Sequence, residues 1–328
     1  MNFQELKKID TPDLYLDVAF RKAKVKSDLR RQKLSFTSRL DKSKKIEMYR
    51  IEVMKDSVIN SLQKILDSFP RLKELPDFYR ELVRLTLDHD RLRKSLGAVR
   101  WAADSISRFF KSYNRKLRDC SMVEDINRLR REFYGRVSSV LKQIRKELEV
   151  IEEARKVMRQ YPHIKTSMPT AAIAGFPNVG KTTLLAKMTG STPDIQPYAF
   201  TTRGINIGYM KKGADSKEKV QVLDTPGTLN RLEKMNNIEK QAYLAMKLCA
   251  DIIIYVFDLT ETSYPLDKQL ILYEKLKSLE KPMVCYVSKT DMVGRKDVSS
   301  FSEKYSCIIS PAELRSVIFR TCKDTGRV

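Results

Sequence analysis

The sequence predicts an all-α helical bundle followed by an α/β domain, a mostly parallel sheet with helices on both faces. Three observations carry this. Apolar residues recur at steps of three and four through the first half of the chain, the spacing of one helix face. In the second half, short apolar runs alternate with helical segments and glycines, as in β-α-β units. A glycine-framed loop, residues 175–182, sits between the first of these runs and a helix. The 328 residues suffice for about two domains, each with its own core.

In the first half, Ile51, Met54, Val58, Leu62, Ile65 and Phe69 form one stripe. Val99, Ala102, Ile106, Phe109, Tyr113 and Leu117 form a second. Ile126, Leu129, Phe133, Val137, Val140, Ile144, Leu148 and Ile151 form a third, predicting one helix of about seven turns. A shorter helix holding Leu82, Leu85 and Leu87 falls within residues 76–96. Breakers separate them at Phe69-Pro70, Leu75-Pro76 and near Cys120-Ser121. Long amphipathic helices cannot bury their stripes alone, so a bundle over residues 1–160 follows. Trp101 and Tyr113 read as core positions rather than as a base-stacking platform. Residues 161–169, framed by Pro162 and Pro169, read as a linker. Residues 170–328 form the α/β domain, with strands at 171–174, 204–210, 220–223, 251–257, 282–287 and 307–309.

The net charge is +22, divided as +15 over residues 1–160 and +7 over residues 161–328. Basic residues cluster in residues 21–39, again at Arg91, Arg93, Lys94 and Arg100, and at Lys111, Arg115, Lys116 and Arg118. Such densities suit phosphate contacts, and a polyanion partner explains them; a well-solvated helical surface is the plain alternative. A membrane surface fits less well, because the bundle needs its own apolar stripes and no lipidation signal is present. The longest apolar run, residues 252–257, falls far short of the ~20 residues that span a bilayer. No apolar signal core opens the chain, so secretion is not expected. The five cysteines include no C-x-x-C pair and read as free thiols in a reducing compartment.

The sharpest motif is Gly175-Phe-Pro-Asn-Val-Gly180-Lys181-Thr182, a full match to G-x-x-x-x-G-K-[ST] after a strand and before a helix. The glycines let the backbone turn so that successive N–H groups face phosphate oxygens, and the helix N-terminus adds its positive end. Gly175, Pro177, Asn178, Val179, Gly180, Lys181, Thr182 and Thr183 are therefore nucleotide-binding candidates. Lys181 reaches the β- and γ-phosphates and Thr182 offers a hydroxyl to Mg²⁺. Asp224-Thr-Pro-Gly227 follows a strand some forty residues on. Asp224 can hold the Mg²⁺ shell, and the Gly227 N–H can sense a γ-phosphate. Between the two motifs, Thr202 is the candidate switch ligand for Mg²⁺ and γ-phosphate, with Thr201 as its alternative.

A base-recognition end follows. Ser288-Lys289-Thr290-Asp291 comes directly after a strand. The Asp291 carboxylate can accept two hydrogen bonds from guanine, a donor pair that adenine lacks. Lys289 can lay its stem over the base. Ser310-Pro311-Ala312 closes the series, where a loop would reach the guanine oxygen.

In this order and wording, these elements resemble the Obg superfamily of GTPases. Within it, the sequence is most similar to the nucleolar GTP-binding protein family of ribosome assembly factors and its archaeal relatives. Ser68-Phe-Pro-Arg-Leu, Pro76-Asp-Phe-Tyr and Leu96-Gly-Ala-Val extend the resemblance into the helical half. It implies a P-loop GTPase domain binding GTP or GDP with Mg²⁺ behind a helical domain seated on ribosomal RNA. It further implies a role in maturation of a pre-large-subunit particle, beside other assembly proteins, and a monomer off the ribosome. The long C-terminal extension of the eukaryotic members does not follow Val328, so an archaeal-type cytoplasmic protein is expected; a eukaryotic one would be nucleolar. An RNA-bound placeholder with a slow or regulatory nucleotide site is the alternative function.

Three departures from the family pattern matter. Ser288 stands where Asn is usual, which should loosen the tether between loops. Pro311 follows Ser310 where Ala is usual and has no N–H to donate, leaving Ala312 as the donor. The Gln that orients water in the best-known small GTPases is absent; Thr228 and Leu229 occupy that region. Weak to moderate GTP affinity and slow intrinsic turnover are expected. Lys181, Thr202, Gly227 and Asn178 are the candidates for hydrolysis. Asn178 resembles a ligand for K⁺ in the Obg relatives, or else simply stabilises the turn; Arg203 is another candidate cation.

Overall fold

The computed structural model describes residues 3–33, 38–189, 205–213, 216, 218–226 and 237–324. The chain divides into two compact units, one of residues 2–74 and 87–159, the other of residues 75–86 and 160–328. The elements run α1 (Pro12–Lys33), α2 (Arg39–Ser68), α3 (Asp77–Thr86), α4 (His89–Asp119), α5 (Val123–Gln143), α6 (Arg145–Met158), β1 (Thr170–Ala174), α7 (Lys181–Thr189), β2 (Asn206–Lys211), β3 (Lys219–Asp224), α8 (Asn237–Leu248), β4 (Ile252–Asp258), α9 (Leu266–Lys277), β5 (Met283–Ser288), α10 (Arg295–Tyr305), β6 (Cys307–Ile308) and α11 (Pro311–Asp324).

The first unit is a bundle of α1, α2, α4, α5 and α6. Local chemistry starts two of its long helices: the Ser38 hydroxyl accepts the Asp41 N–H at 3.5 Å, and the Asp88 carboxylate accepts the Arg91 N–H at 3.0 Å. The predicted stripes are buried, with Ile51, Met54, Leu62, Val99, Ile106, Phe133 and Val137 all but sealed from water. The bundle differs from expectation at two places. The third stripe is not one helix: the backbone at Ile144 leaves helical geometry (φ −90°, ψ 14°), ending α5 and starting α6, although Ile144 itself stays buried. Tyr113 is core, but Trp101 is 45% exposed. At the centre, buried Glu47 is matched by Arg50 at 3.0 Å and Arg130 at 3.1 Å, so its carboxylate does not sit uncompensated.

The second unit is built on a six-stranded sheet of order β2-β3-β1-β4-β5-β6. Only β2, against β3, is antiparallel; the other neighbours are parallel. Strands β1 and β4 are buried at every residue, which is why they read as continuous apolar runs. Their C-terminal ends lie together, with Ile173 opposite Asp224 on one side and Ile254 on the other. Ligands of open α/β sheets bind outside these strand ends.

Helix α3 belongs to this second unit, against the expectation of a single helical body over residues 1–160. Phe78, Tyr79, Leu82 and Val83 are buried in it, and α3 packs on α8. The Tyr79 hydroxyl accepts the Ile164 N–H at 2.9 Å and lies 3.0 Å from the Pro162 carbonyl. The Lys165 N–H donates to Gln221 of β3 at 3.1 Å, so residues 161–169 are tied into this unit rather than forming a free linker.

Leu82→Ala is expected to cost about 2–5 kcal/mol, the usual range for a fully buried leucine. Hydrogen exchange locates the loss: protection should fall in β1 and α8 and hold in α2. Equal loss in α2 would remove α3 from the second unit.

Candidate functional site

The loop between β1 and α7 is shaped by three left-handed residues. Gly175 (φ 146°), Asn178 (φ 63°) and Gly180 (φ 91°) turn the chain back on itself and deliver it into α7 at Lys181. Gly175 has a second reason to be glycine: a Cβ there would stand 2.7 Å from the Val256 carbonyl oxygen of β4. Asn tolerates the backbone region of Asn178 better than most side chains. Val179 is buried, Pro177 half-buried, and Thr183 exposed in the first turn of α7.

Lys181 is 7% exposed, and its ammonium donates to the Phe176 carbonyl at 2.7 Å. Burial pushes its pKa down to about 8, a drop that the Asp224 carboxylate opposes. The cation is thus held under the loop with little solvation, ready for an anion. The Thr182 hydroxyl donates to Asp224 Oδ2 at 2.6 Å, and the Asn206 amide of β2 donates to the same oxygen at 3.2 Å. Asp224 is 4% exposed, and its Oδ1 has no hydrogen-bond partner among the described residues. A buried carboxylate oxygen without a partner, beside a hydroxyl, fits a hard divalent cation such as Mg²⁺.

The opposite wall comes from the end of β5. Ser288 was expected to loosen the tether between loops; instead its buried hydroxyl lies 2.7 Å from the Val179 carbonyl and 2.9 Å from that of Phe257. One O–H serves both carbonyls and ties the phosphate loop to β4 and β5. Lys289 (φ 49°) turns its ammonium to Asp258 at 2.6 Å. Asp258, missed in the sequence, is 1% exposed. Burial raises its pKa, but the Lys289 ion pair and the hydrogen bonds from Thr260 outweigh this and hold the carboxyl below its ordinary range. Gln269 fixes the backbone beside it, accepting the Asp258 N–H at 2.9 Å and donating to the Asp258 carbonyl at 2.8 Å. A lone Asp after an apolar run carries no motif; its register opposite Ser288 on β5 is the signal that places it.

Asp291 is exposed, just beyond Lys289. Ser310 does not lie in a free loop. It starts α11, its hydroxyl accepting the Glu313 N–H at 3.5 Å and its carbonyl the Leu314 N–H at 3.0 Å. Pro311 is the first helical residue, where a missing N–H costs nothing, and Ala312 is exposed in the first turn. Thr201, Thr202, Arg203, Gly227, Thr228 and Leu229 lie outside the described residues.

A parallel sheet with this loop at the end of β1, its lysine buried beneath it and its threonine bonded to an aspartate from the next strand defines a P-loop GTPase domain, here joined to a helical one. Residues 3–165 match the family described as the NOG1 N-terminal helical domain, and residues 170–289 match the family described as 50S ribosome-binding GTPase. The chain belongs to the NOG1 family. An uncharacterized protein of Methanocaldococcus jannaschii is 36% identical over 90% of this chain and 83% of its own. Nucleolar GTP-binding protein 1 of Encephalitozoon cuniculi is 33% identical over 79% of this chain, which spans only 51% of that relative. Among solved structures, a nucleolar GTP-binding protein 1 from Plasmodium falciparum is similar at 22% identity over 50% of this chain and 91% of that one, with a TM-score of 0.39.

The lowered pKa of Lys181 has a pH signature. Between about pH 8 and 10.5 the unfolded chain binds the proton more tightly than the folded one, so stability rises with pH in that window. Below pH 8 the folded state carries the full penalty. Lys181→Met should remove the slope and stabilise the nucleotide-free protein by about 2–3 kcal/mol at pH 7, read by urea unfolding across pH. A variant less stable than the parent at pH 7 contradicts the buried-cation reading.

Proposed function

We propose that this protein is a Mg²⁺-dependent GTP-binding and hydrolysing switch in assembly of the large ribosomal subunit, docking on ribosomal RNA through its basic helical unit. The observation that carries the nucleotide half is the pair Thr182–Asp224, with one buried carboxylate oxygen unused, set beside the buried Lys181 ammonium. Thr182 and Asp224 would hold Mg²⁺, with Thr202 completing the set in the triphosphate state. Bound there, the ion neutralises phosphate charge. Lys181 exchanges its carbonyl for a phosphate oxygen, and the backbone from Gly175 to Thr183 supplies N–H donors. Asp291 reads guanine, and the Ser288 tether and the Lys289–Asp258 pair hold the turn that carries it.

The assembly half rests on the family names and on charge. Eukaryotic relatives are called nucleolar GTP-binding protein 1, and the matched domain is described as 50S ribosome-binding. Residues 1–160 hold most of the charge excess. Hydrolysis in place of a water-orienting Gln is assigned to Asn178 and K⁺, which would put positive charge against the phosphates; Gly227 would sense the γ-phosphate.

Single-turnover hydrolysis, with and without large-subunit RNA, tests the switch. Slow GTP turnover, near the unassisted Ras-like order of about 10⁻⁴ s⁻¹, should rise with RNA and with K⁺ over Na⁺. Asn178→Gly should keep the turn and GTP affinity yet lose the K⁺ response. Equal turnover in Na⁺ and K⁺ removes the Asn178 assignment, equal competition by ATP removes guanine, and no turnover under any condition leaves the RNA-bound placeholder.

RNA docking has its own readout. With about 6–10 phosphate contacts, affinity should fall roughly 10³–10⁵-fold between 50 and 200 mM salt. A flat salt response would sink the electrostatic docking.

A further inference from the structure

We propose that the groove between α4 and α5 seats an unstacked base of single-stranded RNA, with Trp101 as the stacking surface. The inference rests on the RNA-docking reading and names the part of the RNA that the helical unit would grip. Trp101 is the only tryptophan in the chain, and it is 45% exposed on α4, where Val99, Ala102, Ile106, Tyr113 and Leu117 are buried and Phe109 is half-buried. Tryptophan is enriched at contact surfaces because it offers a broad apolar face together with a polar N–H.

The groove beside it, about 580 Å³, is lined by Trp101, Phe109, Tyr113, Gly135 and Arg136 among others. This is room for a planar base on an aromatic floor. Gly135 leaves α5 without a side chain there, and a Cβ at that position would meet nothing within 4 Å. The Arg136 guanidinium stands 5.7 Å from the Phe109 ring centroid, so a cation already sits on the aromatic wall. A guanidinium so placed can also stack on a base or meet a phosphate.

Charge favours RNA over an apolar peptide. Lys94 and Arg108 lie seven residues to either side of Trp101, about two helical turns, and both are exposed on the same face of α4. The acids on this surface include Asp90 near the start of α4, Asp104 and Glu132, the last accepting from the Tyr113 hydroxyl at 3.4 Å. A second recess of about 560 Å³ continues along α5, adding Ser138 and Lys142 to the shared Gly135, Ser139 and Gln143. Hydroxyls, an amide and an ammonium beside an aromatic floor match a ribose–phosphate running away from a stacked base.

Trp101 reports on its own occupancy. Titrating the full chain with a short single-stranded RNA should quench its fluorescence in step with binding measured by anisotropy of labelled RNA. Trp101→Ala should weaken single-strand affinity about 5- to 100-fold, Trp101→Phe only a few-fold, with duplex RNA affinity and GTP turnover unchanged. Single-strand affinity unchanged in Trp101→Ala, or Trp101 emission unmoved at saturating RNA, overturns the groove assignment while leaving RNA docking in place, and would turn the groove over to a protein ligand. No RNA binding by the parent chain overturns the docking reading itself.

Discussion

The nucleotide end of this molecule depends on one constraint: a lysine ammonium is kept out of water under a loop that offers it a single carbonyl. Lys181 can sit there only because Gly175, Asn178 and Gly180 fold the chain tightly enough for α7 to begin at its own residue. The loop in turn keeps its shape because Gly175 lies against the β4 backbone and the Ser288 hydroxyl holds the Val179 carbonyl. The sheet order then follows a purpose. It puts β3, with Asp224 at its end, on one side of β1, and β4 and β5, with Asp258 and Ser288, on the other.

Buried charge is handled in two ways. Glu47 is enclosed by arginines and Asp258 by Lys289 and Thr260, so each is satisfied. Such groups specify structure. Lys181 and Asp224 are buried to the same degree but left short of partners, one with a lone carbonyl and the other with an unused oxygen. The folded state gives up stability at both. The imbalance is what a phosphate and a cation would relieve.

Much of this was legible in the residues, for reasons that differ by element. The strands of the α/β half stood out because β1 and β4 are buried on both faces and so read as apolar runs, and β3 carries apolar residues on either side of Gln221. The phosphate loop stood out because its chemistry demands glycines, lysine and threonine at set spacing. Helix α1 escaped notice because it packs through small residues: Ala19, Ala23 and Ser27 are fully buried, whereas its larger Leu14, Val25 and Leu29 are exposed. The break at Ile144 was hidden because the apolar stripe runs straight through it. Trp101 kept helical spacing with core residues, and spacing does not say which side of a stripe's edge meets water. The Lys289–Asp258 pair joins residues thirty-one apart that share no motif and meet only through strand register. The membership of α3 was equally invisible, since an amphipathic pattern states that a face is buried but not against what.

That last element bears on synthesis. Because α3 lies in sequence between α2 and α4 yet completes the second unit, neither unit is a continuous stretch of chain. As the polypeptide leaves the ribosome from its N-terminus, Phe78, Tyr79, Leu82 and Val83 emerge long before the Pro162 carbonyl, β1 or α8 exist to cover them. The bundle can close around a looped-out helix whose apolar face waits for some eighty further residues. Cutting the chain at one peptide bond near residue 160 would therefore yield a nucleotide-binding fragment lacking one of its own helices.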